Sequence, residues 1–171
     1  TTEIYTLSLH DALPICQNLK HNVTVNLTDG AFFGMALGFA SFTTILPLFV
    51  ASLTDSTTLI GLVPAIHSAG WLLPQLFTAS HVSRLRRYKN NVLMMTIHER
   101  VPFLGFAIVA LLIPTIGVQT ALILALALLI WQGLGGGFAA NPWTSMISKI
   151  IPADSRGTFF GMQAGLANLF I

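Results

Sequence analysis

Residues 101–148 read VPFLGFAIVALLIPTIGVQTALILALALLIWQGLGGGFAANPWTSMIS and contain no Asp, Glu, Lys or Arg. One helical crossing of a ~30 Å hydrocarbon layer needs ~20 residues at a rise of ~1.5 Å per residue. The stretch therefore holds the end of one crossing and the whole of another, separated by a break at residues 113–117. Helices are favoured over strands because the apolar runs are continuous rather than alternating.

The rest of the chain shows the same charge pattern. Residues 30–54 and 56–83 also lack these four residue types, and each of the two stretches fits one crossing. The whole chain is 54% hydrophobic and 8% charged, whereas a typical soluble domain is about 25% charged. This composition excludes an ordinary soluble enzyme, a nucleic-acid reader and a disordered chain. It predicts an all-α polytopic membrane protein with four full transmembrane helices and a truncated fifth, at residues 27–51, 57–80, 91–116, 119–147 and 156–171.

The basic residues predict the orientation of these helices. The loop after the second segment holds four of the eight Lys and Arg residues, whereas the loops after the first and third segments hold none. Because cytoplasmic loops are enriched in Lys and Arg, the basic loop is first of all a topological anchor, and the N-terminus should be cytoplasmic. We expect an integral protein of a bacterial cytoplasmic membrane. The basic residues on the cytoplasmic side are Lys20, Arg84, Arg86, Arg87, Lys89, Lys149 and Arg156.

The first sixteen residues, TTEIYTLSLHDALPIC, do not belong to this pattern. They contain no apolar span and no basic flank, and they resemble the translation of a sequencing adapter. We therefore expect residues 1–19 to be an artefactual or disordered leader, and residues 20–171 to be part of an amino-terminal transmembrane domain. On this interpretation, His10 and Asp11 are not a catalytic pair. The single cysteine, Cys16, excludes an internal disulfide and a cysteine-based zinc site.

An internal repeat links the first and fifth segments. Residues 29–40 read DGAFFGMALGFA and residues 156–167 read RGTFFGMQAGLA, with seven of twelve positions identical. Glycines at four-residue spacing let helix backbones approach closely in lipid. The repeat therefore predicts that the two helices pack as parallel neighbours, with the two glycine rows facing each other and Asp29 near Arg156. The rows are Gly30, Gly34 and Gly38 in the first segment, and Gly157, Gly161 and Gly165 in the fifth.

The fourth segment has a glycine cluster of its own. Gly133, Gly135, Gly136 and Gly137 precede Pro142. The cluster predicts close packing of this helix, and the proline predicts a bend.

Three features together resemble the major facilitator superfamily. They are the evenly spaced spans, the basic loop between the second and third spans, and the Pro-x-x-x-Arg-Gly turn at residues 152–157. The family's loop pattern is Gly-x-x-x-Asp-Arg-x-Gly-Arg-Lys, of which only Arg84 and Arg87 match here. Ser83 stands at the Asp position, and residues 132–136, QGLGG, resemble a glycine motif of the family's fourth helix.

This resemblance implies secondary active transport of a small solute by alternating access in the full-length parent protein. The partners would be the lipid bilayer, the solute with a proton as candidate coupling ion, and the remainder of the transporter. We expect no enzyme activity, cofactor, metal or nucleic-acid partner, and no transport by the fragment alone. The alternative is a non-transporting scaffold or partner-binding subunit, and an intramembrane enzyme is a third class.

Polar side chains inside the apolar segments are the candidate translocation residues, because such groups are costly in lipid. The alternative for Glu99 and Arg100 is a late-starting helix that leaves both at the cytoplasmic interface. His67 is also interpretable as a neutral hydrogen-bonding residue, and Gln132 as a structural one. The candidates are His67, Gln75, Glu99, Arg100 and Gln132.

Overall fold

The computed structural model describes residues 9–85 and 87–169, with side chains from residue 18 onward. The described residues form only α-helices and turns, so the all-helical class is confirmed. The second, third and fourth predicted segments agree with the observed helices to within three residues at each end. Arg86 lies outside the described residues. The helices are α1 (Leu9–Phe39), α2 (Ile45–Ala51), α3 (Thr57–Val82), α4 (Lys89–Ile116), α5 (Val118–Ile150) and α6 (Arg156–Asn168).

The first predicted segment is not one helix. The prediction of a continuous span over residues 27–51 is wrong, because α1 ends at Phe39 and α2 begins at Ile45. The Ser41 carbonyl accepts from the Leu46 amide at 2.9 Å, and the Ser41 hydroxyl accepts from the Thr43 amide at 3.4 Å. Ser and Thr side chains compete with the helix for backbone groups in this way. At its other end, α1 already begins at Leu9, so residues 9–19 are helical rather than disordered.

Three helices of the described residues, α3, α4 and α5, are long and apolar enough to cross a membrane. The predicted count of four full spans is therefore not confirmed by this criterion. The surfaces of these helices carry large exposed apolar side chains, which in water would form unfavourable patches and which suit contact with lipid. Examples are Leu72, Leu76, Phe77, Leu104 and Leu111.

Gly117 alone separates α4 from α5. Its φ of 80° and ψ of 157° lie in a region that other residues rarely adopt. Its amide donates to the Ile113 carbonyl at 2.9 Å and closes the last turn of α4. The predicted break at residues 113–117 is thus a one-residue connection.

The described residues divide into two compact units. One contains the residues up to Gly38 together with those from Ile147 onward. It includes nearly all of α1, the end of α5 and all of α6. The other runs from Phe39 to Met146 and contains α2, α3, α4 and most of α5.

Candidate functional site

A partly buried hydrogen bond joins α3 to α5. His67 Nδ1 lies 2.9 Å from Oε1 of Gln132. Because a carbonyl oxygen only accepts, Nδ1 of His67 is the donor. Phe42, from the turn before α2, stacks on the imidazole with a centroid distance of 3.6 Å and an interplanar angle of 6°. The sequence candidates His67 and Gln132 therefore meet under an aromatic cover.

Only one of the two polar atoms of the Gln132 side chain, Oε1, has a hydrogen-bond partner among the described residues. The side chain is 1% exposed, and its Nε2 atom has no hydrogen-bond partner among the described residues. A buried donor without a partner costs ~1–3 kcal/mol, and native structures contain few of them. The amide nitrogen is therefore a donor that is available inside the helix bundle.

Glu99 is buried against the glycine cluster of α5, with 7% of its surface exposed. A Cβ at Gly135 would stand 2.6 Å from the His98 carbonyl carbon and 2.7 Å from the Glu99 nitrogen. At Gly136 it would stand 3.2 Å from Glu99 Oε1 and 2.6 Å from the Trp71 ring. The carboxylate and the indole thus share the space that Gly136 leaves open, one helical turn from Gln132.

The consecutive residues His98, Glu99 and Arg100 on α4 differ in their exposure. α4 begins at Lys89, ten residues before Glu99, which disfavours the late-starting helix. His98 Nδ1 accepts a hydrogen bond from Trp131 Nε1 at 3.3 Å, and Arg100 is exposed. The structure therefore gathers Glu99, His67 and Gln132 around one stretch of α5.

Gln75 takes part in a second connection between α3 and α5. Its Nε2 donates to the Trp71 carbonyl of its own helix at 2.7 Å. Asn141 Nδ2 donates to the Gln75 carbonyl at 2.8 Å and to Thr78 Oγ1 at 2.9 Å. These bonds give Gln75 and Asn141 a structural role. Asn141 was not among the sequence candidates, although a polar residue within the apolar run was the available signal.

The close packing predicted for the fourth segment occurs between α3 and α5. A Cβ at Gly70 would stand 2.9 Å from Gly133 Cα, and a Cβ at Gly137 would stand 2.5 Å from the Gly70 oxygen. Backbone therefore meets backbone at these three glycines. This approach brings His67 within hydrogen-bonding reach of Gln132.

The repeated glycines behave differently in α1 and α6. A Cβ at Gly30 would stand 2.7 Å from Gln163 Cγ, and a Cβ at Gly34 would strike the Ala167 backbone. The two contacts advance together by four residues, so α1 and α6 run parallel and touch. However, Gly157, Gly161 and Gly165 have nothing described within 4 Å of their Cβ positions. The expected glycine-to-glycine register is therefore corrected by six residues.

Arg156 closes the end of α5. Its Nε donates to the Ile151 carbonyl at 3.0 Å, and its Nη2 donates to the Ser148 carbonyl. These bonds satisfy carbonyls that the helix end leaves open. Pairing of Asp29 with Arg156 stays a prediction. The other described basic residues of the predicted cytoplasmic side are all exposed. They lie on α1, between α3 and α4, at the start of α4 and near the end of α5: Lys20, Arg84, Arg87, Lys89 and Lys149.

Comparison with known proteins gives no relative for this chain. No protein-family model matches it, and neither curated proteins nor solved structures provide a match.

Proposed function

We propose that the full-length protein containing this chain transports a small solute across a membrane by alternating access, as a member of the major facilitator superfamily. The sequence support is the order of the apolar segments, the basic loop and the Pro-x-x-x-Arg-Gly turn. The structural support is a polar group within long apolar helices, formed by the buried Glu99 and Gln132 and the partly buried His67.

The burial of Glu99 carries the proposal. A charged residue at the centre of a membrane helix costs ~2.5–3.5 kcal/mol of insertion free energy. A helix that served only as an anchor would be more stable without this carboxylate. Its retention beside a half-satisfied amide favours a group that handles a solute or a proton.

We expect Glu99→Gln to reduce transport by at least ~10-fold, while membrane insertion and expression are unchanged or improved, because removing the charge lowers the insertion cost. Uptake into vesicles, with and without a proton gradient, measures the transport change, and a membrane-fraction immunoblot measures insertion. Asp55→Asn is the matched control, since it makes the same change at an exposed carboxylate. Full transport by Glu99→Gln would contradict a cavity role for this residue.

The competing hypothesis is a non-transporting scaffold. A scaffold needs the α3–α5 connections at Gln132 and Asn141, but it has no use for a solute pathway. If the wild-type protein assembles in the membrane but shows no uptake into vesicles, the scaffold hypothesis is favoured.

The proposed orientation is tested by labelling from outside intact cells. With the N-terminus in the cytoplasm, Asp55→Cys should react with a membrane-impermeant maleimide and Arg86→Cys should not, because the basic loop faces the cytoplasm. Labelling of permeabilised cells controls for access to both cysteines. The reverse pattern would invert the topology.

A further inference from the structure

We propose that Trp71, Glu99 and Gln132 bind a small organic cation that also carries a hydrogen-bond acceptor. The proposal deepens the proposed function, and it depends on that function only in taking the bound cation as the transported solute. The three residues belong to α3, α4 and α5 of one compact unit. The proposed binding site has two halves, one for the positive charge and one for the acceptor, and each is supported by a separate observation.

The first half of the site recognises positive charge. Glu99 Oε1 and the Trp71 ring both lie against the Cβ position of Gly136, at 3.2 and 2.6 Å. A buried carboxylate attracts a cation, and an indole ring attracts a cation that lies over its face. A quaternary ammonium group suits this pair better than a metal ion, which would need several oxygen ligands.

The second half of the site recognises an acceptor. Gln132 Oε1 is occupied by His67, whereas Nε2 is buried without a partner among the described residues. The other end of the same amide is held by the bond from His67, whose ring is stacked on Phe42. A ligand oxygen would supply the missing partner and remove the cost of burying this donor.

The spacing of the two halves limits the ligand. Gln132 and Gly136 are four residues apart on α5, so the two positions are ~6 Å apart along the helix axis. The ligand should carry its acceptor about that far from the charged nitrogen. Gln132 is 1% exposed, so the conformation described here keeps this half of the site closed to solvent.

Binding to the purified full-length protein in detergent tests both halves. Acetylcholine is one probe, and pentyltrimethylammonium is the second, because it has the same chain length without the carbonyl. We expect acetylcholine to bind about 3- to 10-fold more tightly, the value of one hydrogen bond. Isothermal calorimetry measures both affinities, and quenching of tryptophan fluorescence gives an independent signal from Trp71.

Two isosteric variants separate the halves of the site. Glu99→Gln should weaken the binding of both probes by roughly 10-fold or more, since it removes the charge. Gln132→Glu keeps an oxygen for His67 but removes the amide donor, so the preference for acetylcholine should fall to about 1. Gln119→Glu is the control on the same helix, because it makes the same change at an exposed side chain. This control should keep the wild-type preference.

The outcomes distinguish the site from the transport function. Wild-type protein that binds neither probe, or binds both equally, would overturn the site. So would a Gln132→Glu variant that keeps the preference. If the binding pattern holds but vesicles accumulate no acetylcholine, the transport function fails while the site stands. If vesicles transport another solute and neither probe binds, the site fails while the transport function stands.

Discussion

A Gly137→Leu protein is expected not to assemble α3 against α5. A Cβ at Gly137 would stand 2.5 Å from the Gly70 oxygen and 2.7 Å from the Trp71 oxygen. These atoms belong to the backbone and cannot turn aside as a flexible side chain can. Overpacking costs ~1–3 kcal/mol or more even in adaptable cores, and lipid offers the separated helices an equally apolar environment. Thermal unfolding followed by size-exclusion chromatography in detergent should show an early loss of the monodisperse species.

Gly61→Leu is the matched control for this prediction. Gly61 lies on α3 as well, but nothing is described within 4 Å of its Cβ position. The Gly61→Leu protein should therefore unfold close to the wild-type temperature. A cysteine pair at positions 67 and 132 should form a cross-link in the Gly61→Leu background and lose it in the Gly137→Leu background. Equal stability of the two leucine variants would show that α3 and α5 do not approach as described.

The second large effect is expected at Gly34 on α1. Leucine at this position would strike the Cα and carbonyl oxygen of Ala167 on α6. Since these are backbone atoms, the helices would have to separate, and we expect Gly34→Leu to lower the unfolding temperature of the full-length protein by several degrees. Limited proteolysis of the α5–α6 connection would report the separation directly.

Gly161→Leu is the informative comparison, because the repeat aligns Gly161 with Gly34. The Cβ position of Gly161 is open, so this variant should behave like the wild type. Equal damage from Gly34→Leu and Gly161→Leu would restore the glycine-to-glycine register and reject the observed one. No loss of stability from Gly34→Leu would show that α1 and α6 do not pack.

The gaps between charges predicted most helix ends well, because a charged residue in lipid is costly wherever it falls. They could not predict the break between α1 and α2. Ser41 and Thr43 are uncharged and thus leave the apolar run intact. Their hydroxyls nevertheless take part in local hydrogen bonds that accompany the end of the helix. Hydropathy measures transfer to lipid, and such local competition lies outside what it measures.

The candidate site was predicted as a list of residues rather than as a set of contacts. His67, Glu99 and Gln132 were identifiable because each is a polar group in an apolar segment. Their meeting depends on which faces of α3, α4 and α5 touch, and sequence spacing does not determine this. The repeat illustrates the limit: four-residue spacing predicted a row of glycines on each helix, but not that Gly34 would lie against Ala167.

The single residue between α4 and α5, Gly117, sets how these two helices are aligned along their lengths. Glu99 lies eighteen residues before Gly117 and Gly135 lies eighteen residues after it, and the two meet across the helices. Gly105 and Leu128, twelve residues before and eleven after, also meet. Residues of α4 and α5 that contact each other are therefore nearly equally far from Gly117 in the sequence. Adding one residue at this connection would turn one helix by ~100° relative to the other. Without changing any residue of the site, it would carry the Glu99 carboxylate away from Gly136.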